Sequence, residues 1–291
     1  MTLGGRWFTR KPPYWVHNRA ENQLLLSIHH LDGGTVDQYI ERIREFRPAF
    51  LQGQPNGIHF VAARLLAREA RLDVPAVFTT GETLSVAQRR DIEEAFNARV
   101  YESYGPSESA IAAQQCEHGS FHNMSELGIM EFVRDAETGL YRILGTSLWN
   151  DVMPLIRYRI DDLVELAPQR DCPCGRRLPV EIRSIIGRVD DILQAVDGRA
   201  VLPVTIRMSI NPLLEPFESY QFRQLAPGRY ALLLTGVVGK ERVDRFARSL
   251  RDVLGESAEI TVEQAVQLRT SAGKLRTVVN LCEQAREVGG Q

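Results

Sequence analysis

The sequence predicts an α/β protein with a β-rich subdomain, followed by a small α+β C-terminal domain. Three observations lead there. In the first hundred residues, stretches with apolar side chains at helical spacing alternate with short apolar runs. From Gly128 the apolar repeat changes to every second residue, as in half-buried strands. After Asp191 a new series of helix and strand signals begins, about 100 residues long and enough for a compact unit. The expected division is therefore 1–190 and 191–291.

Thr35 and Gln38 have the form of a capping box, and Val36, Ile40, Ile43 and Phe46 then follow at helical spacing until Pro48, so a helix is expected there. A second helix is expected from about Asn56 to Arg71, with Ile58, Val61, Leu65 and Leu66 on its buried side. Val74–Thr79 reads as a buried strand ending at Gly81. Ser85 and Gln88 repeat the capping-box form ahead of a helix to Phe96, and Arg99–Tyr104 follows as a strand. Ile129, Glu131 and Val133, then Tyr141–Gly145, read as antiparallel strands leading into residues 153–166. The last unit reads as a helix near Val204–Ile210, strands near Tyr220–Gln224 and Arg229–Leu234, a helix over Glu241–Leu254 and a strand over Glu259–Glu263.

Composition narrows the function. The 291 residues are 44% hydrophobic and 25% charged, as in a globular protein with a real core. Thirty-five Lys and Arg against 37 Asp and Glu leave a net charge of −2, which argues against a general nucleic-acid binder. No apolar run approaches the roughly 20 residues that span a bilayer, so no membrane span is expected. The opening MTLGGRWFTRKPP has charge, glycine and proline where a secretion signal has an apolar stretch, and a cytoplasmic chain is expected. Four cysteines in a chain of this size suit reduced thiols or metal ligands better than a disulfide scaffold.

Four segments could carry chemistry. In YESYGPSESA (101–110), a strand ends in an aromatic ring, a tight turn, a hydroxyl and a carboxylate, at the strand end where open α/β sheets bind ligands. Tyr104 could stack on a base, Ser107 meet a phosphate and Glu108 hold magnesium; an ordinary loop leaving a strand is the plainer reading. In PLIRYRIDDL (154–163), Asp162 suits the two vicinal hydroxyls of a ribose, because a carboxylate accepts several hydrogen bonds, although a charged turn fits as well. GRVDDILQAVDGRAVLP (187–203) has the glycine and charge of a hinge or of an inert connection. LRTSAGKLR (268–276) gathers Arg269, Lys274 and Arg276, an anion site or a solvated basic patch.

Taken in order with FRPAFLQGQP (46–55), FTTGETL (78–84) and CPCGRRLP (172–179), these segments resemble the adenylate-forming superfamily of acyl-CoA synthetases. The resemblance is to the phenylacetate-CoA ligase branch, with its capsular-polysaccharide CapK and coenzyme F390 synthetase-like members. It implies a site for ATP or AMP lined by Gly81, Glu82, Tyr104, Gly105, Ser107, Asp162 and Arg188, with magnesium on Glu108. It implies Asp190 as a hinge residue and Lys274 as the lysine that assists adenylate formation, so Lys274 and Glu108 are the catalytic candidates. The implied reaction joins a small carboxylic acid to AMP with release of pyrophosphate, then passes the acyl group to a thiol of coenzyme A or a carrier protein. A lysine suits the first step because its charge bridges carboxylate and phosphate as negative charge shifts in the transition state.

Members of that family also carry a Ser/Thr/Gly-rich loop for the β- and γ-phosphates, and nothing in residues 1–52 has that composition. Leu31–Thr35 is short and reads as a turn. The chain is expected to be such an enzyme without its front portion, weakly active alone or completed by another polypeptide that supplies the loop. The alternative is a nonenzymatic subunit that keeps the scaffold. Ile160–Asp161 stands where the family has a small residue and glycine.

Cys116, His122, Cys172 and Cys174 form a second candidate set. Two short pairs of this kind could close a tetrahedral Cys3His zinc site with a structural role; His118 competes with His122, and unliganded thiols are the alternative. The resemblance favours zinc, because that branch often carries this combination. Cys282 reads as a core filler, and His29 and His30 as packed, hydrogen-bonded side chains.

Overall fold

The computed structural model describes residues 1–4, 11–136, 138–167, 172–176, 180–215, 218–266, 268 and 274–282. Strands β1 (Thr2–Gly4), β2 (Trp15–Asn18) and β3 (Gln23–Ser27) precede helix α1 (Val36–Phe46). Then come β4 (Leu51–Gly53), α2 (Pro55–Leu66), β5 (Ala76–Thr80), α3 (Val86–Phe96) and β6 (Arg99–Tyr104). An antiparallel run follows: β7 (Ala113–Gln115), β8 (Phe121–Asn123), β9 (Gly128–Arg134), β10 (Tyr141–Ser147), β11 (Tyr158–Leu166) and β12 (Val180–Arg188). These twelve strands form one sheet in the order β2, β3, β1, β4, β5, β6, β7, β8, β12, β11, β10, β9.

The sheet changes character at β6. Strands β3, β1, β4, β5 and β6 are parallel; α1 crosses from β3 to β4 on the far side of β1, α2 links β4 to β5, and α3 links β5 to β6. From β6 outward every pairing is antiparallel. Two apolar clusters follow this division. One packs Tyr39, Ile43, Ile58, Leu65, Ile92 and Phe96 of the helices on Leu3, Leu26, Val77 and Val100 of the parallel strands. The other joins Ile111, Phe121, Met130, Ile143, Ile160, Val164 and Ile182. Each large apolar side chain buried in these clusters contributes about 1.5–3 kcal/mol relative to exposure.

A short turn over Val189–Asp191 leads to the small hairpin β13 (Leu193–Gln194) and β14 (Ala200–Val201). Helix α4 (Pro203–Ile210), β15 (Tyr220–Ala226), β16 (Arg229–Leu234), α5 (Lys240–Leu254), β17 (Glu259–Gln264) and β18 (Val278–Asn280) complete the order. A four-stranded sheet, β17, β16, β15, β18, packs on α4 and α5 through a third cluster that includes Ile206, Phe222, Leu232, Phe246 and Leu250. Mixed α/β order around one large sheet, with a smaller α+β unit after it, is the predicted fold class.

Some local expectations take a different form. Ser85 and Gln88 make the predicted capping box. Thr35 does not: its hydroxyl donates to the His30 carbonyl, while the Asp32 carboxylate accepts from the Gly34 and Thr35 amides. Helix α2 stops at Leu66 rather than Arg71 because the chain turns back through Glu69, at φ 52°, and the Ala70 amide donates to the Leu65 carbonyl. His30 is stacked on Tyr14 at 4.0 Å, with its Nδ1 3.0 Å from Ser27 Oγ. No helix among the described residues is long and apolar enough to cross a membrane.

Candidate nucleotide site and cysteine-histidine centre

The candidate site starts where the parallel half of the sheet ends. Thr80 at the end of β5 pairs with Ser103, and Tyr104 at the end of β6 pairs with Ala113 of β7. Gly81 and Tyr104 therefore leave adjacent strands side by side. Between β6 and β7 the chain makes an excursion through Gly105, Pro106, Ser107, Glu108 and Ser109, closed by a hydrogen bond from the Ser109 amide to the Pro106 carbonyl. A Cβ on Gly105 would lie 3.3 Å from the Ile111 carbonyl oxygen, so the turn holds its tight form best with glycine.

Tyr104 is half-buried and its hydroxyl donates to Asp162 Oδ2 at 2.9 Å. Burial, reinforced by the neighbouring carboxylate, raises the phenol pKa well above its ordinary value, so the group stays a neutral donor. Asp162 on β11 stands opposite Arg188 on β12 in the strand register. Ring, carboxylate and guanidinium thus come from three strands whose backbone ladders fix their spacing. Ser107 and Glu108 are exposed beside them, and Tyr158 donates to Glu108 Oε1 at 3.4 Å.

Gly81 and Glu82 form the second wall. Gly81 has φ +80°, a conformation that favours glycine, and a Cβ there would lie 3.7 Å from Lys274 Cε. Glu82 Oε2 accepts from the Asn56 amide at 3.2 Å and from Asn56 Nδ2 at 2.8 Å, at the N-terminus of α2, where a negative charge is favoured. Glu82 Oε1 accepts from the Leu275 amide at 2.7 Å. The exposed Lys274 is thereby brought beside Gly81. Arg276, counted with Lys274 among the cations of its segment, is paired with Asp191, a half-buried carboxylate whose pKa burial raises. Arg269 and Gly273 lie outside the described residues. The parts that Asn56, Tyr158 and Asp191 play here, and the bond from Gln88 to Asn56, are not apparent from sequence, since they depend on partners distant along the chain.

The cysteine-histidine set converges elsewhere. One ligand atom from each of Cys116, His122, Cys172 and Cys174 lies within 4.8 Å of all the others. Cys116 Sγ is 3.7 Å from Cys172 Sγ, and Cys174 Sγ is 3.3 Å from His122 Nε2. Tetrahedral zinc with Zn–S bonds near 2.3 Å and Zn–N bonds near 2.0–2.1 Å needs edges of about 3.8 and 3.5 Å, close to the separations of these two pairs. The Cys174 backbone N–H leads the effects that lower the Cys172 thiol to about 6, which favours the thiolate a metal requires. Burial pushes Cys174 in the other direction. His118 donates its backbone N–H to Cys116 Sγ at 3.4 Å, and His122 takes the histidine position in the cluster.

No family model matches the chain. Protein CapK of Staphylococcus aureus is 31% identical over 218 residues, covering 72% of this chain and 48% of CapK. Phenylacetate-coenzyme A ligase of Pseudomonas putida is 22% identical over 284 residues, covering 89% of this chain and 63% of the ligase. The chain thus spans less than two thirds of either relative. Among solved structures, 2-hydroxyisobutyryl-CoA ligase in the postadenylation state with 2-HIB-AMP aligns at 19% identity and a TM-score of 0.67, over 91% of this chain and 61% of that one. The anthranilate CoA ligase AuaEII in complex with anthranoyl-AMP aligns at 15% identity and a TM-score of 0.55, over 91% and 54%. These structures share the fold.

Proposed function

Because the chain belongs to the adenylate-forming superfamily in sequence and fold, we propose that it binds an adenine nucleotide at the end of β6 and serves ATP-dependent activation of a small carboxylic acid as its acyl-adenylate, followed by transfer to a thiol of coenzyme A or a carrier protein. The observation that carries this reading is the grouping of Tyr104, Asp162 and Arg188 beside Gly81, with Lys274 next to that glycine. Tyr104 offers a ring face to adenine, and Asp162 accepts from the ribose hydroxyls. Arg188 adds positive charge, and Ser107 lies on the excursion where a phosphate would pass. Lys274 brings a mobile positive charge to the carboxylate and α-phosphate.

Two metals belong to the proposal. Glu108, an exposed oxygen donor, suits magnesium, which when bound would offset phosphate charge. Cys116, His122, Cys172 and Cys174 would hold zinc in a structural role, tying the β7–β8 hairpin to the segment before β12. We also assign residues 191–291 as a domain that turns about Arg188 to Asp190, which would bring Lys274 in for the first step and take it away for the second. Cleavage by a protease at low dose is expected first near 187–191.

Residues 1–52 contain no Ser/Thr/Gly-rich phosphate loop, so pyrophosphate stabilisation is the weak part of this chain. The 291-residue protein is expected to bind AMP, or an acyl-adenylate analogue, better than it turns over ATP. The test is AMP calorimetry together with acid-dependent ATP–pyrophosphate exchange. AMP binding with exchange near background supports the reading, and a polypeptide that supplies the loop should then restore exchange. Robust exchange abolished by Lys274→Ala would overturn the weak-activity part. Absence of AMP binding would overturn the nucleotide site and favour the nonenzymatic subunit.

A further inference from the structure

We infer that Glu82 is a positioning latch: its carboxylate joins the N-terminus of α2 to the amide of Leu275 and so holds Lys274 at the site. The inference rests on the proposed adenylation role of Lys274 and adds the residue that sets when the lysine is in place. One side of the latch is built into the large sheet. Glu82 Oε2 takes two hydrogen bonds from Asn56, at 3.2 and 2.8 Å, and Asn56 Oδ1 in turn accepts from Gln88 Nε2 at 2.7 Å. Gln88 is itself fixed by its capping box with Ser85. The carboxylate is therefore aimed by the first turns of two helices, with its other oxygen directed outward.

The other side travels with the C-terminal sheet. The Arg276 carbonyl accepts from Gln221 Nε2 of β15 at 2.8 Å, the Arg276 side chain pairs with Asp191, and Asn280 Nδ2 donates to the Ile192 carbonyl at 2.6 Å. Lys274, Leu275 and Arg276 are thus tied to β15, β18 and the segment just after the junction. A rotation about Arg188 to Asp190 keeps those bonds and breaks the one from Leu275 to Glu82, which joins residues 193 apart in sequence. An amide-to-carboxylate bond of 2.7 Å is strong enough to bias such an equilibrium and weak enough to release it. Lys274 is adjacent to the broken bond and leaves Gly81 as it opens.

Hydrogen–deuterium exchange on the full chain without nucleotide tests this directly. Glu82→Ala is expected to raise exchange at the Leu275 amide by about tenfold or more, in line with the ordinary worth of a hydrogen bond to a charged group. Cleavage near 187–191 should accelerate in parallel, while the interior amides of α2 and α3 keep wild-type protection. Glu82→Gln keeps one acceptor oxygen where Asn56 and Leu275 each need one, so it should leave Leu275 less protected than in wild type and more protected than in Glu82→Ala. Asn56→Ala, which only loosens the aim of the carboxylate, should raise Leu275 exchange about threefold, and it decides the matter if Glu82→Ala does not fold. The latch is overturned if Leu275 exchange stays within twofold of wild type, or if protection across α2 falls as much as at Leu275, which would make Glu82 a helix cap alone. Failure of AMP binding would remove the nucleotide reading without changing this exchange result. Unchanged exchange in a chain that binds AMP would remove the latch and leave that reading intact.

Discussion

Tyr104 and Lys274 reach the same end of the molecule by different means. Tyr104 ends β6, Asp162 and Arg188 face each other on β11 and β12 of the same sheet, and the cysteine-histidine cluster gathers side chains from the β7–β8 region and the segment before β12. Among the described residues, the segment that carries Lys274 is bonded to Glu82, just after β5, through the Leu275 amide. Opening a ladder exposes many backbone groups at once, whereas a single hydrogen bond is worth about 1–3 kcal/mol. The first wall is thus held by the sheet before the proposed nucleotide binds, and the second is the one that the proposed rotation would open.

The sharpest way to break this contrast is to open the cysteine-histidine cluster. Cys174→Ser should lower bound zinc from about one equivalent to under a tenth and cost more than about 3 kcal/mol in denaturant unfolding. That is well below the ~10–16 kcal/mol apparent for zinc-finger peptides, because the strand ladder persists without the metal. Elemental analysis of protein purified without chelator checks the first value. A zinc-free wild-type chain would end the idea.

Next in size is the proposed grip on the nucleotide. Asp162→Ala should weaken AMP binding about 10- to 100-fold, the cost of losing hydrogen bonds to a charged acceptor at about 1.5–3 kcal/mol, with unfolding nearly unchanged. Calorimetry on both proteins would show it. An equal loss of stability and affinity would mean that Asp162 holds the sheet together rather than the nucleotide.

Acid should also loosen the antiparallel half. Asp135 is buried beside the β9–β10 turn; the Thr138 backbone N–H, then Arg142 and the Thr138 hydroxyl, hold its pKa down at about 2. A lowered carboxylate pKa adds stability above the unfolded-state value, and that stability is lost as pH falls through the folded value. Wild type should therefore lose about 1–2 kcal/mol relative to Asp135→Asn between about pH 4 and pH 2, as followed by chemical unfolding. Equal acid sensitivity of the two proteins would place the proton elsewhere.

The smallest effect separates ring from hydroxyl. Tyr104→Phe keeps the face for adenine and removes the bond to Asp162, so AMP affinity should change less than about threefold, since one hydrogen bond is lost and the carboxylate is freed for ribose. A larger fall would show that the hydroxyl aims Asp162.

The same contrast explains what could be read in the sequence. Arg99–Tyr104 and Arg229–Leu234 coincide with β6 and β16, and the Ser85 capping box forms, because local pattern and tertiary packing agree there. The short strands β1 to β4 carry no such pattern and exist through their neighbours in the sheet. Glu69 ends α2 in a left-handed conformation without the glycine that usually marks one. Cys116, His122, Cys172 and Cys174 were legible as a set because their chemistry is distinctive, although 52 to 56 residues separate the contacting pairs. Asn56 and Gln88 are ordinary amides, and only the meeting of two helix N-termini shows that they aim Glu82.

The closeness of Cys116 and Cys172 has a practical side. Sulfurs 3.7 Å apart can be joined by a two-electron oxidation with modest side-chain movement, and a disulfide has no thiolate left to offer a metal. Oxidant and metal compete for the same atoms, so the handling of a preparation decides which form is measured. A thiol titration under denaturing conditions, with four per chain when fully reduced, reports the redox history of a sample before any other property is compared.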